Sequence, residues 1–445
     1  MITTGIRSTE SQPKTPATLP ADIEITDEFS KALALIQSGR QNLFVTGRAG
    51  TGKSTLLRCI QQAARGKVVV LAPTGLAAIN VGGQTIHSFF RFPPKLIKSE
   101  NIRASRHATL YRNLDTIIID EISMVRADLM EGIDRFLRLN RGRPNEPFGG
   151  VRIIFMGDIH QLPPVVADTE VRRYLLHEFG GIYFFNAKVF RDSQPRFLEL
   201  TKKFRQTDPL FGKMLDCVAD GNIRAEDLAP FNRHVVRFDD LPDRSKYIIL
   251  APDNQTVFDL NMRFLNALKG EEWASDAVIS GQFDPSSFPT DETLRLKIGA
   301  KVVLLRNDPQ KRWVNGTSAL ISKLSGESVW IEVGGKEHEL EKHVWEKIKY
   351  EYNSEKRHLV ENVIGSFKQF PIRLAWALTI HKSQGMTLDK VYLDLARGAF
   401  AHGQTYVALS RCRSMNGLAL ARPLRSEDII VDPNALAYRS AFQVL

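Results

Sequence analysis

The chain has 445 residues and a formal net charge of +10, from 60 Lys and Arg against 50 Asp and Glu, and 43% of its residues are apolar. At ~150 residues per domain, this length predicts about three domains, or two with an insertion. It excludes a single small module, and it disfavours a non-enzymatic peptide adaptor.

The cysteines and the apolar runs bear on location. Cys59, Cys217 and Cys412 are too few and too widely spaced for a disulfide framework or a metal knuckle, which favours a reducing compartment. No apolar run approaches the ~18 residues that a membrane span needs, and the N-terminus lacks the features of a secretory or transit signal. We therefore expect an unexported protein with no membrane partner.

Basic charge is concentrated between residues 57 and 113, where nine Lys and Arg stand against Glu100. These residues are Arg58, Arg65, Lys67, Arg91, Lys95, Lys98, Arg103, Arg106 and Arg112. The local net charge of +8 predicts a polyanionic partner, with a merely solvated basic face as the alternative.

The first half of the chain alternates helical and strand-like segments. Residues 1–21 are rich in Ser, Thr and Pro and predict a flexible tail, and a helix is predicted over 27–38. Short apolar, β-branched runs predict strands at 42–46, 67–71, 116–120 and 151–156. Strands that are apolar on both faces and separated by helix-capable segments such as 127–139 predict an α/β fold with a covered parallel sheet.

The second half begins in the same way, with a strand at 247–251 and a helix at 254–267. Three further strands, 301–306, 318–322 and 328–333, then follow without helices between them. Two turn dipeptides, Asn315-Gly316 and Gly334-Gly335, separate these strands and are strong hairpin signals. We therefore expect a small antiparallel barrel or sheet inserted into a second α/β unit, which resumes after Phe370.

Residues 47–54 fit the phosphate-loop pattern G-x-x-x-x-G-K-[ST] between a predicted strand and a predicted helix. Backbone amides of such a loop turn toward phosphates, Lys53 reaches the β and γ oxygens, and the Ser54 hydroxyl ligates magnesium. The predicted nucleotide-binding residues of the loop are Gly47, Gly50, Thr51, Gly52, Lys53, Ser54 and Thr55. ATP and Mg²⁺ are therefore the expected cofactors.

Polar residues follow two of the predicted strands, at the sheet edge where ligands of α/β folds collect. Asp120 is placed to hold magnesium, and Glu121 to accept a proton from the attacking water. Gln161 follows the strand at 151–156 and is expected to sense the nucleotide. His160 beside it is more typical of a packed or exposed histidine than of a catalyst.

At this point the sequence resembles the PIF-type DNA helicases of the RecD-like branch of superfamily 1, also called superfamily 1B. The blocks that carry the resemblance are 47–54, 72–78 with 85–89, 120–124, 148–150 with 157–165, 204–206, 314–317, 379–385 and 406–411. The eight blocks stand in the family's order, from about Ile25 to the end of the chain.

The resemblance implies two RecA-like domains with ATP between them. The implied division is a tail at 1–21, a first domain at 22–190 with a wedge insertion at about 90–113, a second domain at 191–300 and 371–445, and an SH3-like insertion at 301–370. Phe90, Phe92, Pro93 and Pro94 in the wedge are expected to stack on or split base pairs, whereas Phe89 is expected to be core.

The resemblance also implies individual roles. Arg205 and Arg411 become arginine fingers from the second domain, Gln161 links nucleotide state to DNA grip, and Gly385 contributes to the nucleotide site. The implied contacts to single-stranded DNA are Thr74, Gly75, His87, Thr379, His381, Lys382 and Ser383. Such hydroxyl, amide and ammonium groups bind phosphates whatever the base, which suits a motor that crosses any sequence.

The implied activity is ATP-driven 5′→3′ movement on single-stranded DNA that unwinds forked or partial duplexes, and often G-quadruplexes and RNA–DNA hybrids. A monomer of the compact prokaryotic or viral type, cytoplasmic and associated with the nucleoid, is expected. Two other readings stay open: a translocase on RNA or double strands that separates nothing, and a nucleotide-gated scaffold.

One departure from the family concerns the base of the nucleotide. Family members commonly carry a glutamine before the phosphate loop, in a Leu-Ser-x-Glu-Gln element, where it reads the adenine edge. Here the corresponding residue is Phe29. Gln37 or Gln41 would have to replace that glutamine, or the base is only stacked and other nucleoside triphosphates are accepted.

Overall fold

The computed structural model describes residues 26–39, 41–63, 66–166, 168–313, 315–326, 328–353, 358–396 and 398–440. The predicted tail at 1–21 lies outside these ranges, as does Val314 of one family block. Within the described ranges the strands form two parallel sheets and three antiparallel ones. No helix in this part of the chain is both long and apolar enough to cross a membrane.

The first α/β unit is built on six strands: β1 (Leu43–Gly47), β2 (Val68–Ala72), β3 (Gln84–Thr85), β4 (Thr116–Ile119), β5 (Arg152–Gly157) and β6 (Arg196–Leu200). Its helices are α1 (Asp27–Ser38), α2 (Lys53–Ala63), α3 (Gly75–Asn80), α4 (Ile86–Phe90), α5 (Ala108–Arg112), α6 (Ala127–Arg141), α7 (Thr169–Phe179) and α8 (Lys188–Asp192). All six strands run parallel in the order β3-β2-β4-β5-β1-β6. The predicted α/β fold is therefore confirmed for this half.

The first unit continues ten residues beyond its predicted end at 190. Strand β6 pairs in parallel with β1, from Arg196 opposite Leu43 to Leu200 opposite Gly47. The expected boundary at 190/191 is therefore wrong, because this edge strand belongs to the first sheet. Since β6 lies beside the strand that leads into the phosphate loop, residues after Leu200 emerge next to that loop.

The rest of the chain contains five helices and fourteen strands among the described residues. The helices are α9 (Pro209–Asp220), α10 (Ala229–Asn232), α11 (Asn254–Ala267), α12 (Gln404–Leu409) and α13 (Pro433–Ser440). The strands are β7 (Ile248–Ala251), β8 (Trp273–Asp276), β9 (Val278–Gly281), β10 (Thr293–Leu296), β11 (Lys301–Leu304), β12 (Ser318–Ser325), β13 (Ser328–Val333), β14 (Lys336–Leu340), β15 (His343–Asn353), β16 (His358–Gln369), β17 (Ile372–Leu374), β18 (Ala377–Thr379), β19 (Val391–Leu393) and β20 (Leu418–Leu420).

The second α/β unit has a parallel sheet in the order β18-β7-β19-β20. The buried core of this unit contains apolar residues of α9, α10 and α12, packed on one face of the sheet. Helix α11 packs beside β18. Two residues of the first unit, Ala49 and Leu162, pack into this same core. The two units are thus in apolar contact next to the phosphate loop.

Antiparallel strands interrupt the second unit between β7 and β18. They form a five-stranded sheet, β14-β13-β12-β11-β17, a three-stranded sheet, β15-β16-β9, and a pair, β10-β8. The turn at Gly334-Gly335 joins β13 to β14 with both glycines at positive φ, as the dipeptide predicts. The predicted start of the insertion at 301 is too late, because β8 already begins the antiparallel region at Trp273.

Two segments assigned by sequence to the second half pack on the first unit. The ring of Tyr438 in α13 stacks on Phe185 at 4.0 Å, and Tyr183 donates a hydrogen bond to Asp432 at 2.9 Å. Strand β15 of the insertion contacts α3, β3 and α5, and Ile348 packs against the first core. The expected assignment of 371–445 to one domain is therefore wrong for α13.

A buried lysine opens β11. Lys301 is 1% exposed and its ammonium donates to the carbonyl oxygen of Tyr247. Burial lowers the pKa of Lys301 to about 7. The site therefore favours the neutral amine at alkaline pH.

This pKa predicts a pH dependence of stability. Between pH ~7 and ~10 the unfolded chain holds the Lys301 proton and the folded chain does not, so stability should increase as pH rises, by at most about 1.4 kcal/mol per unit. Urea denaturation at pH 7, 8 and 9 should show this increase relative to Lys301→Met, which lacks the group. Parallel pH profiles for the two proteins would contradict the assignment.

Candidate nucleotide and DNA site

The phosphate loop connects β1 to α2 and lies at the carboxyl edge of the first sheet. Gly50 and Gly52 have φ values of +85° and +88°, in the left-handed region that favours glycine. A Cβ on Gly50 would lie 2.7 Å from the Cβ of Arg205. Helix α2 begins at Lys53, so its free N–H groups and positive dipole end face the loop. The predicted strand–loop–helix context is confirmed.

Lys53 lies inside the loop. Its Nζ donates to the carbonyl oxygens of Gly47, at 2.6 Å, and Arg48, at 3.1 Å. Burial lowers the pKa of Lys53, while the negative charges of Asp158 and Glu121 act in the opposite direction. The lysine thus lies within electrostatic range of the carboxylates that follow β4 and β5.

The two carboxylates after β4, Asp120 and Glu121, are partly buried side by side. Burial, and then the neighbouring Asp120, raises the pKa of Glu121 to about 7, and burial raises the pKa of Asp120. Glu121 adopts a φ of +48°, which is unusual for a side chain of this size and typical of functional sites. A pair of carboxylates in this setting is stabilised by a cation.

A hydrogen-bond network connects Asp158 to the second unit. Its carboxylate accepts from Gln161 Nε2 and from the Tyr406 hydroxyl, both at 3.2 Å, while the same hydroxyl accepts from the Ala49 N–H at 2.8 Å. Burial favours the neutral acid, but the charges of Lys53 and Arg48 lower the pKa of Asp158. Tyr406 in α12 therefore holds both the phosphate loop and the residue that orients Gln161.

An ion pair crosses between the units beside this network. Arg48 in the phosphate loop lies 2.5 Å from Asp220 and 3.8 Å from Asp216, both on α9. His160 Nδ1 lies 3.1 Å from the Ala219 carbonyl oxygen, and burial lowers the pKa of His160 to about 4. The histidine is thus a packed, neutral group, in agreement with the expectation for it.

The two arginines singled out by the family resemblance lie close enough to influence each other. Burial, and then the charge of Arg411, lowers the pKa of Arg205 to about 9. Arg205 donates to the Ser410 carbonyl at 3.2 Å, and Arg411 is 1% exposed and donates to the Val407 carbonyl at 2.9 Å. Arg205 lies shortly after β6, where the chain leaves the first sheet, and Arg411 follows α12 of the second unit.

On the first unit, the predicted DNA contacts lie where β2 and β3 end. Thr74 caps α3, because its hydroxyl oxygen accepts from the Ala77 N–H at 3.2 Å. Gly75 is the first residue of that helix, and a Cβ there would lie 2.2 Å from the Ser287 hydroxyl oxygen. Burial lowers the pKa of His87 in α4, so its neutral form is favoured. Helix α3, which Thr74 and Gly75 begin, thus contacts the antiparallel insertion.

On the second unit, the predicted DNA contacts lie on the turn after β18. The Thr379 hydroxyl oxygen accepts from the Lys382 N–H at 3.1 Å, and Lys382 is exposed. Burial lowers the pKa of His381. The Ser383 side chain is fully buried and donates to the Ile380 carbonyl at 2.8 Å, so its hydroxyl is used within the turn. Gly385 has a φ of +77° and lies beside the carbonyls that face Arg411.

The expectation for the wedge aromatics is wrong. Phe90 and Phe92 are 1% and 5% exposed, and their rings pack against Phe136 of α6 at 5.4 and 5.7 Å. They form a structural core and are not available to split base pairs. Phe89 is 3% exposed, so its expected place in the core is confirmed.

The basic residues of the same segment do face solvent. Those exposed among the described residues are Arg58, Arg91, Lys95, Lys98, Arg103, Arg106 and Arg112. Helix α6 fixes the backbone beneath them, since Arg126 donates to the Lys95 carbonyl at 2.9 Å and Asn140 donates to the Arg103 carbonyl at 3.3 Å. The segment thus presents a basic face on a rigid base.

Comparisons with known proteins agree with this site. The family described as PIF1-like helicase matches residues 24–228. The chain is 34% identical over 436 residues to the ATP-dependent DNA helicase Pif1 of Bdellovibrio bacteriovorus, which covers 95% of this chain and 93% of that protein. It is also 34% identical to the ATP-dependent DNA helicase PIF1 of Xenopus laevis, over 91% of this chain but 62% of that longer protein.

Solved structures of Pif1 from Bacteroides resemble this fold at 36% identity, covering 94% of this chain and 97% of theirs. The complex with ADP-AlF4 superposes with a TM-score of 0.87, and the single-stranded DNA complex with 0.68. A phosphate loop, paired carboxylates and facing arginines between two parallel sheets define a P-loop nucleoside triphosphatase. Within that class, the chain belongs to the PIF1-like helicase family of superfamily 1B.

Sequence reasoning did not assign roles to Tyr406, Asp158 or Arg48, although each lies inside a family block. Their partners are distant in the chain, with Ala49 and Tyr406 separated by 357 positions. No spacing pattern reports such a contact. The one available signal was the presence of a tyrosine, an acid and an arginine in blocks that the family resemblance already placed around ATP.

The Tyr406 hydroxyl predicts a measurable effect on hydrolysis. Tyr406→Phe keeps the ring but leaves the Ala49 N–H and the Asp158 carboxylate each short of one partner, at about 1–3 kcal/mol for a buried polar group. We expect kcat for ATP to fall by about 10- to 100-fold. Steady-state kinetics with saturating single-stranded DNA measures it.

The matched control is Tyr392→Phe, whose hydroxyl donates to the Val236 carbonyl at 3.3 Å within the second unit. This variant should turn over ATP at the wild-type rate. Equal kcat values for both variants would show that the Tyr406 hydroxyl does not serve the reaction.

Proposed function

We propose that this ATP-dependent DNA helicase hydrolyses MgATP between its two α/β units to move along single-stranded DNA and separate duplex strands. The observation that carries the proposal is the electrostatic interaction of Lys53, Glu121, Arg205 and Arg411 with one another at one place. A scaffold that only binds nucleotide has no need for all four groups. As a domain division we propose RecA-like units at 26–200 and at 201–272 with 375–431, an SH3-like insertion at 273–374, and a wedge at about 90–113.

The donor set around the phosphate loop fits magnesium. The Ser54 hydroxyl and the Asp120 carboxylate are oxygen ligands, and Mg²⁺ is typically held by one or two carboxylates together with nucleotide phosphates. Among the described residues, no three or more His, Cys, Asp or Glu side chains are grouped so that they could hold a metal ion without further ligands. Bound there, the ion supplies charge that offsets the phosphate oxygens.

Glu121 acts as the general base in this proposal. It accepts a proton from the water that attacks the γ-phosphorus, the bond to the β–γ bridging oxygen breaks, and ADP and phosphate are released. Gln161 is oriented by Asp158. Its amide accepts a hydrogen bond from the same water or donates one to a γ oxygen. Lys53 neutralises the β and γ oxygens.

The arginine pair supports this assignment on electrostatic grounds. Burial, and then the charge of Arg411, lowers the pKa of Arg205, so these two guanidinium groups are costly to hold side by side. A triphosphate between them offsets that cost, most strongly when negative charge spreads over the γ oxygens in the transition state. Arg205 and Arg411 therefore serve hydrolysis more than ground-state binding.

For the DNA, we propose backbone contacts along the carboxyl edges of the two sheets, from Thr74, Gly75 and His87 to Thr379, His381 and Lys382. Ser383 supports the turn through its buried hydroxyl. The solved Bacteroides relative bound to single-stranded DNA supports this partner. Forked and partial duplexes, G-quadruplexes, 5′→3′ polarity, a monomeric state and a cytoplasmic, nucleoid-associated location are further parts of the proposal.

Unwinding of forked substrates tests the proposal. With ATP, the protein should unwind duplexes that carry a 5′ single-stranded tail and leave those with only a 3′ tail intact.

Glu121→Gln should bind ATP and DNA but lose turnover by about 10²- to 10⁴-fold, because the proton acceptor is gone while Asp120 remains. Normal turnover in Glu121→Gln would contradict the proposed hydrolytic mechanism. Unwinding from the 3′ tail alone would contradict the proposed polarity.

The basic face should grip DNA without reading its sequence. Changing Lys95, Lys98 and Arg103 to glutamine should weaken DNA binding and flatten the slope of log affinity against log salt by about 2 units, if all three contact single-strand phosphates. The loss should be similar for dT and mixed-sequence strands. Fluorescence anisotropy at several salt concentrations measures both.

The control carries the same charge change elsewhere. Arg224, Arg237 and Arg244 are exposed on the second unit, and their glutamine variant should keep the wild-type salt slope. DNA-free ATPase activity should stay near normal in both triple variants. An unchanged slope in the first triple variant would favour the simple solvated face.

A further inference from the structure

The phosphate loop has a second side that the hydrolytic groups do not occupy. Its first side, at Gly50, faces Arg205 and Gln206. Its other side, at Gly52, faces aromatic rings: a Cβ there would lie 3.3 Å from the ring of Phe29 and 3.6 Å from that of Phe204. If the γ-phosphate is directed to the arginines, this second side is the one left for the sugar and base.

The aromatic side offers a stacking surface. Phe29 is 2% exposed and belongs to the core between α1 and the first sheet, whereas Phe204 is 43% exposed. The ammonium of Lys202 lies 5.4 Å from the centre of the Phe204 ring. An exposed ring beside the loop can stack on any base, because every base has a π face.

The polar groups nearest to Phe29 are already engaged. The Thr26 hydroxyl oxygen accepts from the Phe29 N–H at 3.2 Å and caps α1. The Glu28 carboxylate accepts from the Thr201 hydroxyl at 2.5 Å, and this bond lowers the pKa of Glu28. Both groups are used to fix α1 against the segment after β6.

The glutamine side chains of the neighbouring elements do not lie on the aromatic side of the phosphate loop. Gln41 precedes β1 at its amino end, where its carbonyl accepts from Arg152 at 2.9 Å, and the phosphate loop lies beyond the carboxyl end, about 15 Å away. Gln37 is at the same end of α1, two turns from Phe29. Gln206 faces Gly50 and donates to the Ser410 carbonyl at 3.2 Å. Neither Gln37 nor Gln41 therefore replaces an edge-reading glutamine.

We infer that this site holds the base by stacking on Phe204 without reading its edge, so that the chain hydrolyses purine and pyrimidine nucleoside triphosphates alike. The inference rests on the proposed nucleotide site and adds its substrate class. A site built to hydrogen-bond a group rejects analogues that lack it by about 10⁴- to 10⁵-fold, whereas an apolar contact discriminates far less. Specificity for adenine would need the first kind of contact.

Hydrolysis of MgATP, MgGTP, MgCTP and MgUTP with saturating oligo-dT tests this. The four kcat/KM values should lie within about tenfold of one another, the range of apolar discrimination. Phe204→Ala should raise KM for all four by a similar factor. A preference for ATP larger than this range would overturn the inference while leaving the proposed helicase function intact, and no hydrolysis of any of them would instead overturn the function.

Variants at Phe29 test the position itself. Phe29→Gln should raise the ratio of kcat/KM for ATP over GTP by more than tenfold, since it places an amide beside Gly52, on the side of the loop to which we assign the base. Phe29→Leu, which stays apolar, and Gln41→Ala, at the other sheet edge, should leave all ratios unchanged. An unchanged ATP-to-GTP ratio in a folded Phe29→Gln variant would overturn the assignment of Phe29. If that variant does not fold, a changed ratio in Phe29→Leu or in Gln41→Ala would overturn the same assignment.

Discussion

The structure depends on burying charges of both signs between two parallel sheets. Asp120 and Glu121 come from one sheet edge, Lys53 from the loop beside them, and Arg205 and Arg411 from the opposite side. Each group shifts the pKa of another because water is largely excluded, and charges in such surroundings interact strongly. A polyanion with its cation is the ligand that balances this set of charges.

The contacts that hold the two units together also set the geometry of the site. The Arg48–Asp220 ion pair and the Tyr406 hydroxyl both attach residues of the phosphate loop to helices of the second unit. Because Tyr406 also donates to Asp158, movement of α12 changes the partner of the residue that orients Gln161. The second unit is thus connected to the hydrolytic groups through a few hydrogen bonds.

Local patterns predicted what depends on local chemistry. Strand β4 is buried on the three positions Ile117 to Ile119, and its apolar run was sufficient to place Asp120 and Glu121 at a sheet edge. The glycines of the phosphate loop have the positive φ values that the motif requires. These features follow from residues close together in the chain, so the sequence carried them.

Contacts between distant segments were not predictable in the same way. Strand β9 is exposed at all four positions, so it lacks the apolar alternation that identifies a strand, and the insertion seemed to begin at 301. Phe90 and Phe92 looked available for DNA because Phe136, which covers them, comes more than forty positions later. Helix α13 was assigned to the wrong unit since only the fold brings Tyr438 to Phe185.

The protein handles two polyanions with two different kinds of electrostatics. In the proposed function, the triphosphate meets groups that are largely shielded from water, such as Lys53 and Arg411, where salt screens little and each charge has a fixed direction. In the same proposal, the nucleic acid meets exposed residues such as Lys95 and Arg103, where binding depends on counterion release and falls steeply with salt. A motor must release its track at every step but hold its nucleotide until hydrolysis. A screened, exposed face suits the first task, and an unscreened, buried site suits the second.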